Sequence, residues 1–176
     1  MTRTVGSFET GEKMLVSDPC YDRVDETDRL QAVVQVKPGI WLAEVEISDE
    51  QDWGHRVAEL RAWTDPIRAS FWEWYSNCGV DSGQLGFFDF YKYPIGVNGY
   101  EAKYEDQNNW YKKACNETFN QNDRTLKAGI VEGMGVNSSS GFGDGGYDVY
   151  VKKDNDGNVV AIKAVFIPED GEDDYD

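Results

Sequence analysis

The stretch Ser138–Ile167, SSSGFGDGGYDVYVKKDNDGNVVAIKAVFI, decides the fold. A glycine-rich loop enters an alternating run, YDVYVKK. DNDG follows, and then a second apolar run, NVVAIKAVFI. Asp, Asn and Gly accept positive φ, so a cluster of them between two β-rich segments is hairpin chemistry. Val159, Ala161, Ala164 and Phe166 mix faces, the pattern of a strand buried on both sides. Immediately upstream, TLKAGIVEGMGV reads as a glycine-containing strand and SSSGFGDGG as the loop after it.

Working outward, the dominant period is two rather than 3.6. KMLVSDP (Lys13 to Pro19) is a short strand stopped by Asp-Pro. RLQAVVQV and IWLAEVEIS read as two strands around the tight turn KPG, with Trp41, Ala43, Val45 and Ile47 on one face. HRVAELRAW (55–63) fits either a short helix or a strand. The alternation of Ala58, Leu60 and Ala62 with charged positions favours strand. SFWEWYSNCGVDSGQLGFFDFYKY holds Phe71, Trp72, Trp74, Tyr75, Phe87, Phe88, Phe90 and Tyr91 and reads as core. Tyr100–Asn120 is the helix candidate, with Tyr104, Trp110, Tyr111, Ala114 and Thr118 on one stripe. The expected architecture is mainly β or α+β: one compact domain of antiparallel sheets over 1–168, with at least seven strands and one or two short helices. An acidic, disordered tail is expected over 169–176.

Composition narrows the function classes. The 176 residues hold 33 Asp and Glu against 17 Lys and Arg, a net charge of −16. Six acids fall in residues 169–176, which leaves about −10 on the body. Such a body repels nucleic acid, so direct nucleic-acid binding is not expected. It suits a protein partner with a basic surface. The acids of EVEISDEQD (Glu44, Glu46, Asp49, Glu50 and Asp52) are the candidate partner-binding patch. No apolar run is long enough for a membrane span, and the N-terminus lacks a signal-peptide core, so the expected location is cytoplasmic. Cys20, Cys78 and Cys115 have neither disulfide-framework nor zinc spacing and are expected to be reduced and mostly buried. His55 is the single histidine, with no nucleophile elbow to complete a triad.

Three short segments share a vocabulary. VDSGQLGFFDFY (Val80 to Tyr91) and SSGFGDGGYDVY (Ser139 to Tyr150) each carry Ser-Gly, a further glycine, an Asp and an aromatic strand entry. VSDPCY (Val16 to Tyr21) adds Ser-Asp followed by Tyr. On these residues the chain resembles a bacterial family catalogued as domain of unknown function 4241, over roughly Met14 to Ile167. The resemblance implies a compact β-rich domain and supplies no activity and no catalytic residue.

Two chemical readings of these segments stand side by side. Glycine amides and serine hydroxyls can cradle an anion, which nominates Ser82, Gly83, Ser139, Ser140, Gly141, Gly143 and Gly145, with Tyr147 beside them. Asp144 opposes an anion unless a cation intervenes. Alternatively Asp18, Asp81, Asp89 and Asp144 could converge on Ca²⁺ or Mg²⁺. Walker and dinucleotide spacings are both missing, and DNDGN lacks the rest of an EF-hand loop. The leading expectation is therefore a non-enzymatic acidic binding protein with no cofactor, one that inhibits a nucleic-acid-handling or host-defence enzyme. The alternative is a small-ligand-binding protein or metal-dependent hydrolase where SDP, VDSG and SGFGDGG meet.

Overall fold

The computed structural model describes residues 1–65, 71–95, 109–119 and 123–169. The acidic segment 170–176 and the first part of the expected helix, 100–108, lie outside the described residues. Among the described residues eleven strands form two antiparallel sheets. The first contains β1 (Thr2–Thr10), β4 (Gly39–Asp49), β5 (His55–Trp63), β11 (Val159–Val165), β10 (Gly145–Lys153) and β6 (Glu73–Val80), in the order β1-β4-β5-β11-β10-β6. The second contains β3 (Ala32–Gln35), β2 (Lys13–Ser17), β7 (Gln84–Asp89), β9 (Gly135–Ser139) and β8 (Ala128–Val131), in the order β3-β2-β7-β9-β8. A single α-helix, α1 (Trp110–Phe119), and a 3₁₀ turn at Gln51–Trp53 complete the described elements. The mainly-β, single-domain expectation holds.

Three layers result. Met14, Val16, Val34, Leu85, Phe87 and Val136 of the five-stranded sheet pack against Trp41, Val45, Leu60, Val149, Ile162 and Ala164 of the six-stranded sheet in one core. On its other face the five-stranded sheet carries Leu15, Phe88 and Val131, which pack with Phe90, Tyr93, Trp110 and Ala114 in a second core under α1. The rings of Phe88, Tyr93 and Trp110 meet pairwise at centroid distances of 5.2–5.4 Å. Each such contact adds about 0.5–1.5 kcal/mol beyond burial. Helix α1 buries Trp110, Ala114 and Thr118, the i, i+4, i+8 stripe of an amphipathic helix. Tyr111, read from sequence as part of that stripe, is only half-buried.

Residues 55–63 form a strand over their full length, β5, and β10 pairs with β11 as the Asp-Asn-Gly cluster required. The Asp154 carboxylate accepts from the Asp156 and Asn158 amides and closes that turn.

Four readings need correction. First, β3 and β4 do not pair across KPG. The turn carries the chain between sheets, and the Lys37 amide donates to the Val159 carbonyl at 2.9 Å. Second, TLKAGIVEGMGV is not one strand but the β8–β9 hairpin. Glu132 and Gly133 occupy left-handed φ of 52° and 68°, and the Met134 amide donates to the Val131 carbonyl. Glu is an unusual residue for such a turn, so the signal was muted. As a consequence Ser138 and Ser139 belong to β9, and the loop shrinks to Ser140–Asp144. Third, the aromatic-dense middle is not all core. Phe87, Phe88 and Phe90 are buried, whereas Phe71, Trp74 and Tyr91 are exposed. Phe71 precedes β6, Trp74 stands on β6 and Tyr91 follows β7, and none of the three joins either core. Fourth, the described helix begins at Trp110. The Asn109 carboxamide oxygen accepts from the Tyr111 amide as its N-cap.

Gly86 and Gly135 face α1 beneath the Phe88 ring. A Cβ on Gly86 would lie 2.6 Å from the Val136 carbonyl oxygen, and one on Gly135 would lie 2.5 Å from that of Phe87. Gly86→Ala and Gly135→Ala are each expected to lower stability by about 1–3 kcal/mol or more through overpacking. Urea unfolding checks this; an unchanged midpoint would show that Phe88 does not lie over these glycines.

Candidate functional site

The fold brings the SDP, VDSG and SGFGDGG segments to one corner, where β2, β7 and β10 begin or end. Asp18 is fully buried immediately after β2. One of its carboxylate oxygens accepts from the Asp81 amide at 2.9 Å and the Ser82 amide at 2.7 Å. The other accepts from the Ser82 hydroxyl at 2.6 Å and the Cys20 amide at 2.9 Å. These four donors occupy the lone pairs of a buried carboxylate, the condition under which such a charge can be buried. Asp144 grips the same turn from the far side, its carboxylate accepting from the Gly83 amide at 2.9 Å. The Gly83 carbonyl in turn accepts from the Ser140 amide at 3.0 Å.

The glycine loop closes on itself. The Ser140 hydroxyl donates to the Gly143 carbonyl, and the Gly143 amide donates to the Ser140 carbonyl. The Tyr147 hydroxyl reaches the carbonyls of both Ser140 and Gly143. Gly141, at φ 60°, abuts Phe166 and Ile167, so a left-handed backbone and a close approach both demand glycine there. Gly145 opens β10 beside the Tyr147 ring.

A line of buried amides continues inward from Asp18. The Asn137 amide group donates to the Gln84 carboxamide oxygen at 2.9 Å, and the Gln84 amide group donates to the Ser82 hydroxyl at 3.2 Å. Because Ser82 itself donates to Asp18, the chain of donors ends on the carboxylate. Burial and the Asp18 charge push the Cys20 thiol upward, and burial with the Asp81 charge pushes up the Tyr21 hydroxyl, which donates to Asp81. Cys78, buried in the main core, is pushed up to about 12 by desolvation. Neither cysteine is a thiolate near neutral pH, so neither is a nucleophile.

Asp89 of the Asp quartet sits at the opposite end of β7 from the corner. There it accepts from the Gly11 and Lys92 amides. Among the described residues no group of three or more His, Cys, Asp or Glu is placed to hold a metal ion. The chemistry of the corner is that of a clamp: its carboxylates receive backbone donors and its glycines permit close packing.

A second feature lies on the outer face of the six-stranded sheet, which no described layer covers. An open groove of about 1130 Å³ runs across β5, β11 and β10, lined by Arg61, Lys152, Lys163, Glu44, Glu59, Asp65, Asp148, Glu169, Trp63, Trp72, Tyr147 and Tyr150. At its centre the Arg61 guanidinium meets Glu59 at 2.9 Å, Glu44 at 3.0 Å and Glu46 at 3.1 Å. Although they stand on an outer face, the Arg61, Glu44 and Glu59 side chains are only 26%, 20% and 19% exposed. Lys152 and Lys163 lie over the Trp72 ring at 4.7 and 4.9 Å from its centroid. Trp74, at the edge, donates its indole N–H to Asp148 at 2.9 Å.

Of the acidic patch read from sequence, Glu44 and Glu46 fall on this face. The amino terminus and Thr2 donate to Glu46, and the amino-terminal bond is the chief cause holding its carboxyl below the usual range. Asp49, exposed at the end of β4, accepts from the Gln51 amide, and Glu50 accepts from the Ser48 hydroxyl. Asp52 is exposed in the 3₁₀ turn. Arg61, Lys163 and Trp72 were not legible as site residues, because an outward charge on an alternating strand looks like ordinary solvation.

Residues 72–164, from just before β6 to the penultimate residue of β11, match the family model described as "Protein of unknown function (DUF4241)". The match covers more than half of the chain, and the protein belongs to that family. It includes the VDSG and SGFGDGG segments and leaves Asp18 outside. No curated protein and no solved structure matches the chain.

The clamp makes a graded prediction. Asp18→Asn removes a buried charge that four donors face and is expected to cost about 1.5–3 kcal/mol or more. Asp144→Asn, at an exposed position with a single amide donor, is expected to cost less than about 1 kcal/mol. Equal losses on chemical denaturation would contradict the assignment of Asp18 as the principal clamp.

Proposed function

We propose that this family member is a non-enzymatic binding protein that receives a positively charged protein segment on the outer face of its six-stranded sheet. The observation that carries this reading is the groove itself. It is open and partly apolar, and its lining holds five carboxylates against three basic side chains. Its volume exceeds the roughly 300–1,000 Å³ of small-molecule pockets and its floor is a broad sheet, dimensions that favour a polypeptide segment over a compact ligand.

Pairing supports the reading physically. Arg61, Glu44 and Glu59 are already fixed by one another, so little side-chain ordering is left for the moment of binding. Trp63, Trp72 and Trp74 supply large, stiff ring surfaces of the kind that anchor interfaces. The acidic excess of the groove is part of the negative charge of the body, which steers a basic partner toward it. Enzymes that handle nucleic acid present basic surfaces, so inhibition of such an enzyme, in host defence or elsewhere, is the role this surface would serve in a cytoplasmic setting.

Oligolysine titrated into the protein is expected to perturb tryptophan fluorescence at low salt. The effect should be largely lost near 1 M salt, where the screening length falls from about 10 to about 3 Å. Asp65→Asn with Asp148→Asn is expected to weaken the association about three- to tenfold without moving the melting temperature by more than a few degrees. A fluorescence signal that oligolysine leaves unchanged, or that is indifferent to salt and to these substitutions, would overturn the proposal.

A further inference from the structure

The loop Ser140–Asp144 spends its polar groups inward and its one large side chain outward. Ser140, Gly143 and Asp144 bond within the loop, to Tyr147 or to Gly83, while Phe142 stands 56% exposed at the tip. A backbone fixed in this way holds an aromatic ring in water, and burial elsewhere gives no reason for it. Beside it Trp53, 69% exposed, meets Phe142 edge to face with centroids 6.4 Å apart and planes at 85°. The Trp53 carbonyl accepts from the Arg56 side chain at 2.9 Å, and this bond holds the guanidinium 5.7 Å from the Phe142 centroid.

The charges at this tip run against the rest of the molecule. Lys127 extends to the carbonyl of His55, next to Arg56, with its ammonium 3.4 Å from that oxygen. Burial, and secondarily the Arg56 charge, hold the Lys127 ammonium below the usual lysine range. Its backbone also sits at a left-handed φ of 45°, a conformation costly for a residue with a Cβ. Among the described residues no carboxylate lies within 4.0 Å of either cation. In a chain where acids outnumber bases about two to one, Arg56 and Lys127 are neighbouring like charges with no described carboxylate at ion-pair distance to offset them. An oxyanion between them would relieve their repulsion.

We propose that Arg56 and Lys127, with the exposed rings of Trp53 and Phe142, form a binding site for a mononucleotide, the cations taking its phosphate and the rings its base. A guanidinium pairs bidentately with phosphate oxygens, and indole and phenyl faces stack on a planar base. The site is separate from the sheet groove and independent of the function proposed for it. A phosphate on a ring-bearing nucleoside can come from a free nucleotide or from the end of a nucleic-acid chain. The net charge of the body favours the former, since each added phosphate is repelled.

The test follows the Trp53 indole N–H resonance, assigned with Trp53→Phe, during titration with AMP, adenosine, inorganic phosphate and a short oligoadenylate. AMP is expected to shift that resonance and to bind more tightly than adenosine or phosphate alone. Arg56→Gln and Lys127→Gln are each expected to weaken AMP about tenfold, the loss of one charge-assisted contact. Both residues are half-buried, so the folding of each variant is checked by the unchanged remainder of the spectrum. The oligoadenylate is expected to bind no more tightly than AMP. A Trp53 signal indifferent to AMP would overturn the proposal, as would phosphate binding as tightly as AMP or an Arg56→Gln variant of undiminished affinity. Tighter binding of the oligonucleotide would replace the mononucleotide with a nucleic-acid end as the ligand.

Discussion

A single buried carboxylate organises this structure. Asp18 follows β2 at zero exposure and receives the amides of Cys20, Asp81 and Ser82 with the Ser82 hydroxyl. Removing a charge from water costs several kcal/mol unless its hydrogen-bonding capacity is filled, so the β6–β7 turn cannot move without exposing an uncompensated ion. That turn joins the two sheets, since β6 is an edge of one and β7 the centre of the other. Asp144 and the Ser140 amide then tie the glycine loop to the same turn at Gly83. The position of Phe142, and hence the geometry of the aromatic tip beyond it, descends from this arrangement.

The two faces of the molecule follow from how each sheet is covered. Helix α1 closes the five-stranded sheet, and both faces of that sheet are buried. Gln84 and Asn137 bond to each other there rather than to water. The six-stranded sheet has a covered and an uncovered face. Its uncovered face carries a network in which Arg61 is shared by three glutamates and Lys163 lies near Glu59. Networks of this kind add little to stability when exposed. Their contribution here is order: charges and rings are held in place on a surface that faces outward.

Much of the fold was legible because local chemistry and tertiary environment agree. DNDG between two apolar runs gave the β10–β11 hairpin, and the alternation of Ala58, Leu60 and Ala62 gave β5. What was not legible lies where the two disagree. Strand β1 buries little beyond Phe8 and Thr10, so its sequence shows no apolar face. Glu132 adopts a left-handed turn that its side chain does not advertise, which hid the β8–β9 hairpin. KPG has the composition of a hairpin turn and instead passes the chain from one sheet to the other. At the candidate site the convergence of SDP, VDSG and SGFGDGG was readable from shared residue types. The use of their carboxylates as backbone acceptors was not, because it depends on which amides arrive beside them. Arg56 and Lys127 are 71 positions apart, and only the fold shows that they are neighbours with no described carboxylate at ion-pair distance.

The measurement that bears most directly on this account is native-state hydrogen exchange at the amides of Asp81 and Ser82. They sit in a turn, outside any strand, and amides in turns ordinarily exchange through small local openings. If the Asp18 carboxylate holds the two sheets together as described, both will exchange as slowly as the amides of β7 and only through global unfolding. Exchange at the rate of the exposed Asp154–Asn158 turn would show that the corner opens on its own and that the clamp does not govern the fold.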